Sequence, residues 1–167
     1  MAGLTKGAFY HYLPSKAYLL RVCTSRALDL TIPPARYIAG LDISATEAIT
    51  RIFREVVRNV EVFRREVNLF LDEWHRGESP ELLPAQRRRD EYEQIIEGII
   101  ERGIRAGEFR PIASPRILAF SIFGLATHPR VWWRPNEPMS ADELGSCFAS
   151  IFLDGLRVDR DAAIRNE

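Results

Sequence analysis

Apolar residues along most of this chain recur at intervals of three and four. Few stretches alternate with the period of two that a half-buried strand needs. Ile49, Ile52, Phe53, Val56 and Val60 share one helical face, behind a Ser44/Glu47 pair with the spacing of a capping box. Phe63, Val67, Phe70, Leu71 and Trp74 continue that stripe beyond a kink or break expected near Asn59–Glu61. A long helix carries Tyr92, Ile95, Ile96, Ile99, Ile100 and Ile104 and is capped by Gly107. Ser114-Pro115 opens another in the N-cap, N1 arrangement. Ser140 with Glu143 caps the last, which ends near Gly155-Leu156. Pro33-Pro34 with Gly40 reads as a linker, and Gly77 to Pro84 as a loop or frayed helix start. The pattern predicts an all-α protein.

Two segments break the amphipathic rule. Residues 117–126 are apolar nearly all round, and the final helix spreads Leu144, Cys147, Phe148, Ile151, Phe152 and Leu156 over a wide arc. Helices apolar on both sides must be covered on both sides. In a chain this short, the second cover is either a thick monomeric core or another subunit.

The N-terminal residues have a different organisation. Gly3 suits a tight turn, and Thr5 is a good N-cap for a short helix from about Lys6 to Tyr12. Pro14 ends it, and Ser15 can cap a helix running to about Leu30 with Leu19, Leu20 and Val22 inward. Thr5, Lys6, Tyr10, His11 and Tyr12 are hydrogen-bond formers on the short helix, while Phe9 and Leu13 lie together at i,i+4. A helix that seats on apolar residues and presents donors is what phosphate and base-edge contact requires.

The ordered run Ala2-Gly3-Leu4-Thr5-Lys6-Gly7-Ala8-Phe9-Tyr10-His11-Tyr12-Leu13-Pro14-Ser15-Lys16, followed by Leu19, resembles the recognition segment of TetR-family transcriptional regulators. The resemblance implies that Thr5, Tyr10, His11 and Lys16 contact phosphates. It places Lys6 and Gly7 toward the major groove, where a lysine can bond guanine O6 or N7. Ala8 stands where a hydroxyl residue is common, and Leu13 where phenylalanine is usual. The family's first helix and most of its second would precede Met1, so Phe9 and Leu13 lack the surface they pack on. A helix this short is marginal alone. The start codon is therefore expected to lie further upstream, or the chain to be truncated; as it stands, weak or no specific DNA binding is expected.

The expected division is thus residues 1–30 as a partial helix-turn-helix domain and 31–167 as a C-terminal helical domain for ligand binding and dimerisation. The resemblance implies a homodimer through the last two helices, with two recognition helices set on a palindromic operator. Charge agrees with this division. Overall the chain has 23 basic and 23 acidic residues, yet residues 1–40 hold Lys6, Lys16, Arg21, Arg26 and Arg36 against Asp29 alone, +4, which leaves −4 for the remainder. Positive charge beside the motif is an electrostatic footprint for phosphate.

Residues 86–156 also resemble the C-terminal domain of TetR regulators of fatty-acid and steroid catabolism, which sense acyl-CoA thioesters. The elements carrying this are Arg89-Asp90-x-Tyr92, the run from Gly103 to Pro111, Trp132-Trp133-Arg134-Pro135 and Leu153-Asp154-Gly155-Leu156. The implied inducer pocket would draw on Phe70, Trp74, Arg89, Phe120, Phe123, His128 and Trp132, with Trp133 nearby; the same aromatic stripe also suits a plain core. His128-Pro129-Arg130 departs from the subgroup: Pro129 should kink the helix, and its neighbours make the pocket more polar. Arg87-Arg88-Arg89 either grips CoA phosphates or forms a solvated face.

Nothing in the pattern asks for an enzyme or a cofactor. His11, His75 and His128 lie in unrelated segments, without metal-ligand spacing, and there is no phosphate-cradling loop or nucleophile elbow. No run approaches the roughly 20 apolar residues that cross a bilayer, there is no signal-peptide pattern, and Cys23 and Cys147 read as reduced cytosolic thiols. The reading is a cytoplasmic, homodimeric repressor released from operator DNA by a small inducer, acyl-CoA thioesters being one candidate class. Its rival is a truncated ligand-binding and dimerisation module that no longer touches DNA.

Overall fold

The computed structural model describes residues 16–65, 67–68, 83–134 and 137–157. It is helical, as the periodicity predicts. The helices are α1 (Lys16–Gly40), α2 (Ala45–Val62), α3 (Leu83–Arg105), α4 (Pro115–Thr127), the short α5 (Pro129–Trp132) and α6 (Ala141–Leu156). Among the described residues, β-type pairing is confined to an isolated antiparallel bridge, Phe109 with Arg157.

α2 is the hub and touches each of the other five helices. Ala48, Ile49, Ile52, Phe53, Val56, Val57 and Val60 are all buried, so its apolar residues cover a band wide enough for partners on two sides. α6 packs along it closely. At Gly145 an added Cβ would lie 2.6 Å from the Arg54 Cα, so only hydrogen fits between the two backbones. α1 and α4 both pack on α3 as well as on α2.

The linker expected at Pro33-Pro34 and Gly40 is not there: α1 continues through both prolines to Gly40. Each interior proline costs a helix about 3 kcal/mol. However, Leu28, Ile32, Ala35 and Ile38, spaced by four, three and three, are buried in one stripe that runs past the prolines. Burying the three larger ones at about 2 kcal/mol each offsets that cost. The helix end is held too: Arg102 donates through Nη1 to the Ala39 carbonyl (3.0 Å) and through Nη2 to that of Ile43 (3.4 Å). The 30/31 division drawn from the sequence therefore falls inside one helix.

The helix ends follow the sequence with two amendments. Ser140 and Glu143 form the complete capping box, Ser114 caps α4 with Pro115 at its first position, and Gly107 takes the left-handed conformation, φ 70°, after α3. At the start of α2, Ser44 accepts from the Glu47 N–H (3.1 Å), but the Glu47 carboxylate pairs with Arg51 instead of closing the box. A distant residue, Glu108, takes the remaining donors, accepting from the Ala45 and Thr46 N–H groups at 3.0 and 2.9 Å. The kink expected at Asn59–Glu61 comes slightly later. α2 runs to Val62 and turns at Phe63, whose N–H still reaches the Asn59 carbonyl.

Gly145→Ala should lower stability by about 1–3 kcal/mol through overpacking. Gly98→Ala, exposed within α3 with nothing near its Cβ position, should raise it by up to about 1 kcal/mol. Denaturant unfolding followed by circular dichroism reads both, and equal effects would contradict the α2–α6 packing.

A second test concerns pH. Burial pushes the Glu108 carboxyl up, but the Thr46 and Ala45 N–H groups, the Thr46 hydroxyl and Arg102 outweigh it and hold the group below the ordinary carboxylate range. A lowered folded-state value stabilises above the unfolded carboxyl's titration and is lost as pH falls through the folded one. Glu108→Gln should cost about 1 kcal/mol at pH 7, the scale of a lost cap. The gap to wild type should close below about pH 4.

Candidate functional site

Among the described residues a concavity lies where four helices meet, with a cavity volume of about 120 Å³. α1 supplies Ala27, Leu28 and Thr31, and α2 supplies Val56, Asn59 and Val60. Opposite them stand Arg89 and Tyr92 from α3, Phe123 and Thr127 from α4, and Val67 beyond the turn at Phe63. The helical spacing explains the convergence: Val56, Asn59 and Val60 are one turn of α2, and Phe123 and Thr127 one turn of α4.

The walls are mostly apolar, and their polar groups are largely engaged with the protein. Thr31 donates to the Ala27 carbonyl (2.6 Å) and Thr127 to that of Phe123 (2.7 Å). The Arg89 Nε lies 2.7 Å from Glu93 Oε1, a pair with side chains only 23% and 8% exposed, so the arginine charge is balanced where it stands. The Tyr92 ring meets Phe123 at 5.2 Å between centroids. Burial, and after it the charge of Glu55, pushes the Tyr92 hydroxyl well above its ordinary range, so it stays protonated at physiological pH. Asn59 differs: its amide nitrogen is buried with no hydrogen-bond partner, a position that costs free energy unless something fills it.

Of the ligand residues expected from the sequence, the structure brings Arg89 and Phe123 together at this cavity. Phe120 lies outside its lining, with the Arg116 guanidinium 5.4 Å from its ring. His128 is exposed at the junction where Pro129 ends α4, and Trp132 on α5 is 50% exposed. Trp133 is instead the buried one, with Nε1 donating to the Met139 carbonyl and Arg64 bonding its carbonyl. Phe70 and Trp74 lie outside the described residues, as do Thr5, Lys6, Gly7, Tyr10 and His11 of the DNA-contact set. Lys16 opens α1, but its side chain is outside the described part.

Asn59 and the α1 residues Ala27, Leu28 and Thr31 were not read from the sequence as site residues. Asn59 carried a signal, being a polar residue three positions after Val56 on the apolar stripe of α2. Those of α1 carried none, since the helix was expected to end near Leu30.

A second surface stands out on the outer side of α4 and α6. Ile117 and Ile151 are 54% and 59% exposed. Gly124, Cys147 and Gly155 are exposed beside them in sequence register, and no atom comes near a Cβ added at either glycine.

Comparison with known proteins places these features in context. Residues 42–156 match the family described as the tetracyclin repressor-like C-terminal domain. The HTH-type transcriptional repressor KstR2 of Mycolicibacterium smegmatis is 24% identical over 156 residues, covering 93% of this chain and 76% of the relative. Among solved structures, the ketosteroid transcriptional regulator KstR2 of Mycobacterium tuberculosis superposes with a TM-score of 0.84 at 23% identity, over 95% of this chain and 81% of that one. The regulator AibR, solved with isovaleryl coenzyme A and operator DNA, gives 0.75 at 20% identity, over 88% and 80%. At such identities the structural matches establish the fold.

Phe123→Ala would remove the ring that meets Tyr92 and open one wall. The expected loss is about 3 kcal/mol by chemical denaturation; a change within 0.5 kcal/mol, the scale of ordinary surface substitutions, would show that this wall is not packed as described.

Proposed function

The chain belongs to the tetracycline-repressor-like (TetR) family, and on that premise we propose that it is a DNA-binding transcriptional repressor whose operator affinity is lowered by a small-molecule ligand. One observation carries the ligand half of this reading. α1 contributes a wall of the cavity through Ala27, Leu28 and Thr31, and it begins at Lys16, where the segment resembling a recognition helix ends. A ligand that spreads the cavity must therefore act on α1, and through it on the DNA-reading segment. Only differential affinity between the two arrangements can shift them.

In this proposal residues 1–30 belong to the DNA-binding unit and residues 31–167 to the ligand-binding and dimerisation unit, with α1 passing rigidly between them. Thr5, Tyr10, His11 and Lys16 contact phosphates, and Lys6 and Gly7 face base edges. α4 and α6 meet a second copy through the surface containing Ile117 and Ile151. The chain acts by binding, with no catalytic step. Among the described residues no helix is long and apolar enough to cross a membrane.

The cavity suits the acyl end of a coenzyme A thioester, the class that AibR was solved with, better than a bulkier group. At about 120 Å³ it is near the size of a benzene-binding cavity, about 150 Å³, and below the usual range for drug-sized ligands. Arg89 and Phe123 belong to this pocket; Phe70, Trp74, Phe120, His128 and Trp132 extend it toward the rest of the ligand.

The test is fluorescence anisotropy of the DNA flanking the gene, titrated with this chain and with a version extended into the upstream reading frame. Binding with steep salt dependence, reduced at least tenfold by isovaleryl coenzyme A, is the expected outcome. Val60→Phe, which fills the cavity, should leave DNA binding intact and abolish the response. Dimers that bind ligand but no DNA in either form would leave a ligand-binding module. For the interface, Ile151→Asp should shift sedimentation toward monomer while helical content is kept.

A further inference from the structure

The cavity contains more information about its occupant than its size. Its apolar walls, Val56, Val60, Tyr92 and Phe123, offer contact without direction. Its threonine hydroxyls already donate to the Ala27 and Phe123 carbonyls. The Arg89 guanidinium is balanced by Glu93, so an entering carboxylate would meet no net positive charge there and would lose its hydration. Among the neutral polar side chains of the lining, Asn59 is the one whose donor, its amide nitrogen, is buried with no hydrogen bond, and it sits on the helix that every other helix packs against. A leucine would fill the same place on the apolar stripe without leaving a donor unsatisfied. An amide at that position is explained by an acceptor that arrives with the ligand.

We propose that Asn59 determines ligand specificity, donating through Nδ2 to the uncharged carbonyl oxygen of a ketone, ester or thioester whose apolar part, of about six heavy atoms, fills the cavity. The proposal rests on the cavity being the ligand site, as set out under Proposed function. It adds the group on the ligand that is recognised, an uncharged carbonyl oxygen, and the residue that selects it. A hydrocarbon of the same shape leaves the donor unsatisfied, and a carboxylate of the same size is rejected by the balanced Arg89–Glu93 pair.

The test uses the full chain and small probes: cyclopentanone, its shape mimic methylenecyclopentane, and 3-methylbutanoate, each titrated against the Tyr92 and Phe123 ring resonances. The wild type should bind the ketone about tenfold more tightly than the alkene, the scale of one net hydrogen bond, and the carboxylate most weakly. Asn59→Leu should erase or reverse the ketone preference and raise the melting temperature of the unliganded protein, since a buried unsatisfied donor is removed. Equal binding of ketone and alkene by the wild type, which needs no variant to fold, overturns the role of Asn59 while the cavity stands as a site. A ketone preference that survives in Asn59→Leu does the same, and tighter binding of 3-methylbutanoate overturns the uncharged class. Binding of none of the three would count against the cavity itself, and so against the reading beneath this one.

Discussion

The buried stripe of α1 is the constraint on which the rest depends. Leu28, Ile32, Ala35 and Ile38 lie under 10% exposed, and they straddle two prolines that would break an isolated helix. Pro33 and Pro34 leave the carbonyls of Asp29 and Leu30 without their usual N–H donors, so intrahelical bonding alone does not hold the element together. Packing on α2 and α3 does so, helped by Arg102 at the helix end and by ion pairs from Arg88 to Asp29 and from Arg36 to Glu91. Exposed pairs of this kind contribute little energy each; their effect is to fix where α1 sits against α3. Continuity across the prolines is what lets one helix line a cavity near its middle and carry the N-terminal segment at its start.

The same dependence makes α1 responsive. An element stabilised by its own ladder would tolerate a shift in its neighbours, whereas one stabilised by contact follows them. Ala27, Leu28 and Thr31 face the cavity while Ile32, Ala35 and Ile38 continue into the core below. A ligand entering among Val56, Asn59 and Phe123 therefore presses near one end of a stripe whose other end is anchored at Ala39 and Ile43. On the proposed function, that geometry turns a small displacement at the cavity into a larger one at Lys16, because the held end acts as the fulcrum.

Much of the fold was legible in the sequence because helical spacing and end signals are local. The stripe of α2, the isoleucines of α3, Gly107, Ser114-Pro115 and the Ser140/Glu143 box are each decided by residues a few positions apart. What could not be read was non-local. Pro33-Pro34 signals a break unless the stripe on both sides has something to bury against. Nor does the sequence reveal that Glu108, 63 residues from Ala45, accepts the Ala45 and Thr46 N–H groups at the start of α2 beside the Ser44 cap. The site divides in the same way. Arg89 and Phe123 fell at the cavity because each sits on a strongly marked helix, whereas the two neighbouring tryptophans gave no local sign of which would be buried. Trp133 went inward because its indole N–H finds the Met139 carbonyl and its own carbonyl finds Arg64, while Trp132 stayed half exposed.

Asn59 shows why a residue that weakens a local pattern can be more informative than one that completes it. Along α2 the interior positions from Ile49 to Val60 are aliphatic or aromatic apart from this amide, and a polar interruption of a stripe reads first as a helix end. The helix nevertheless continues to Val62, so the amide is not there to stop it. Its nitrogen is buried without compensation from the protein, a local conflict with the fold around it. Sequences generally place such conflicts where function requires them. Here the conflict coincides with the point where four helices, one of them leading to the N-terminal segment, leave room for something else.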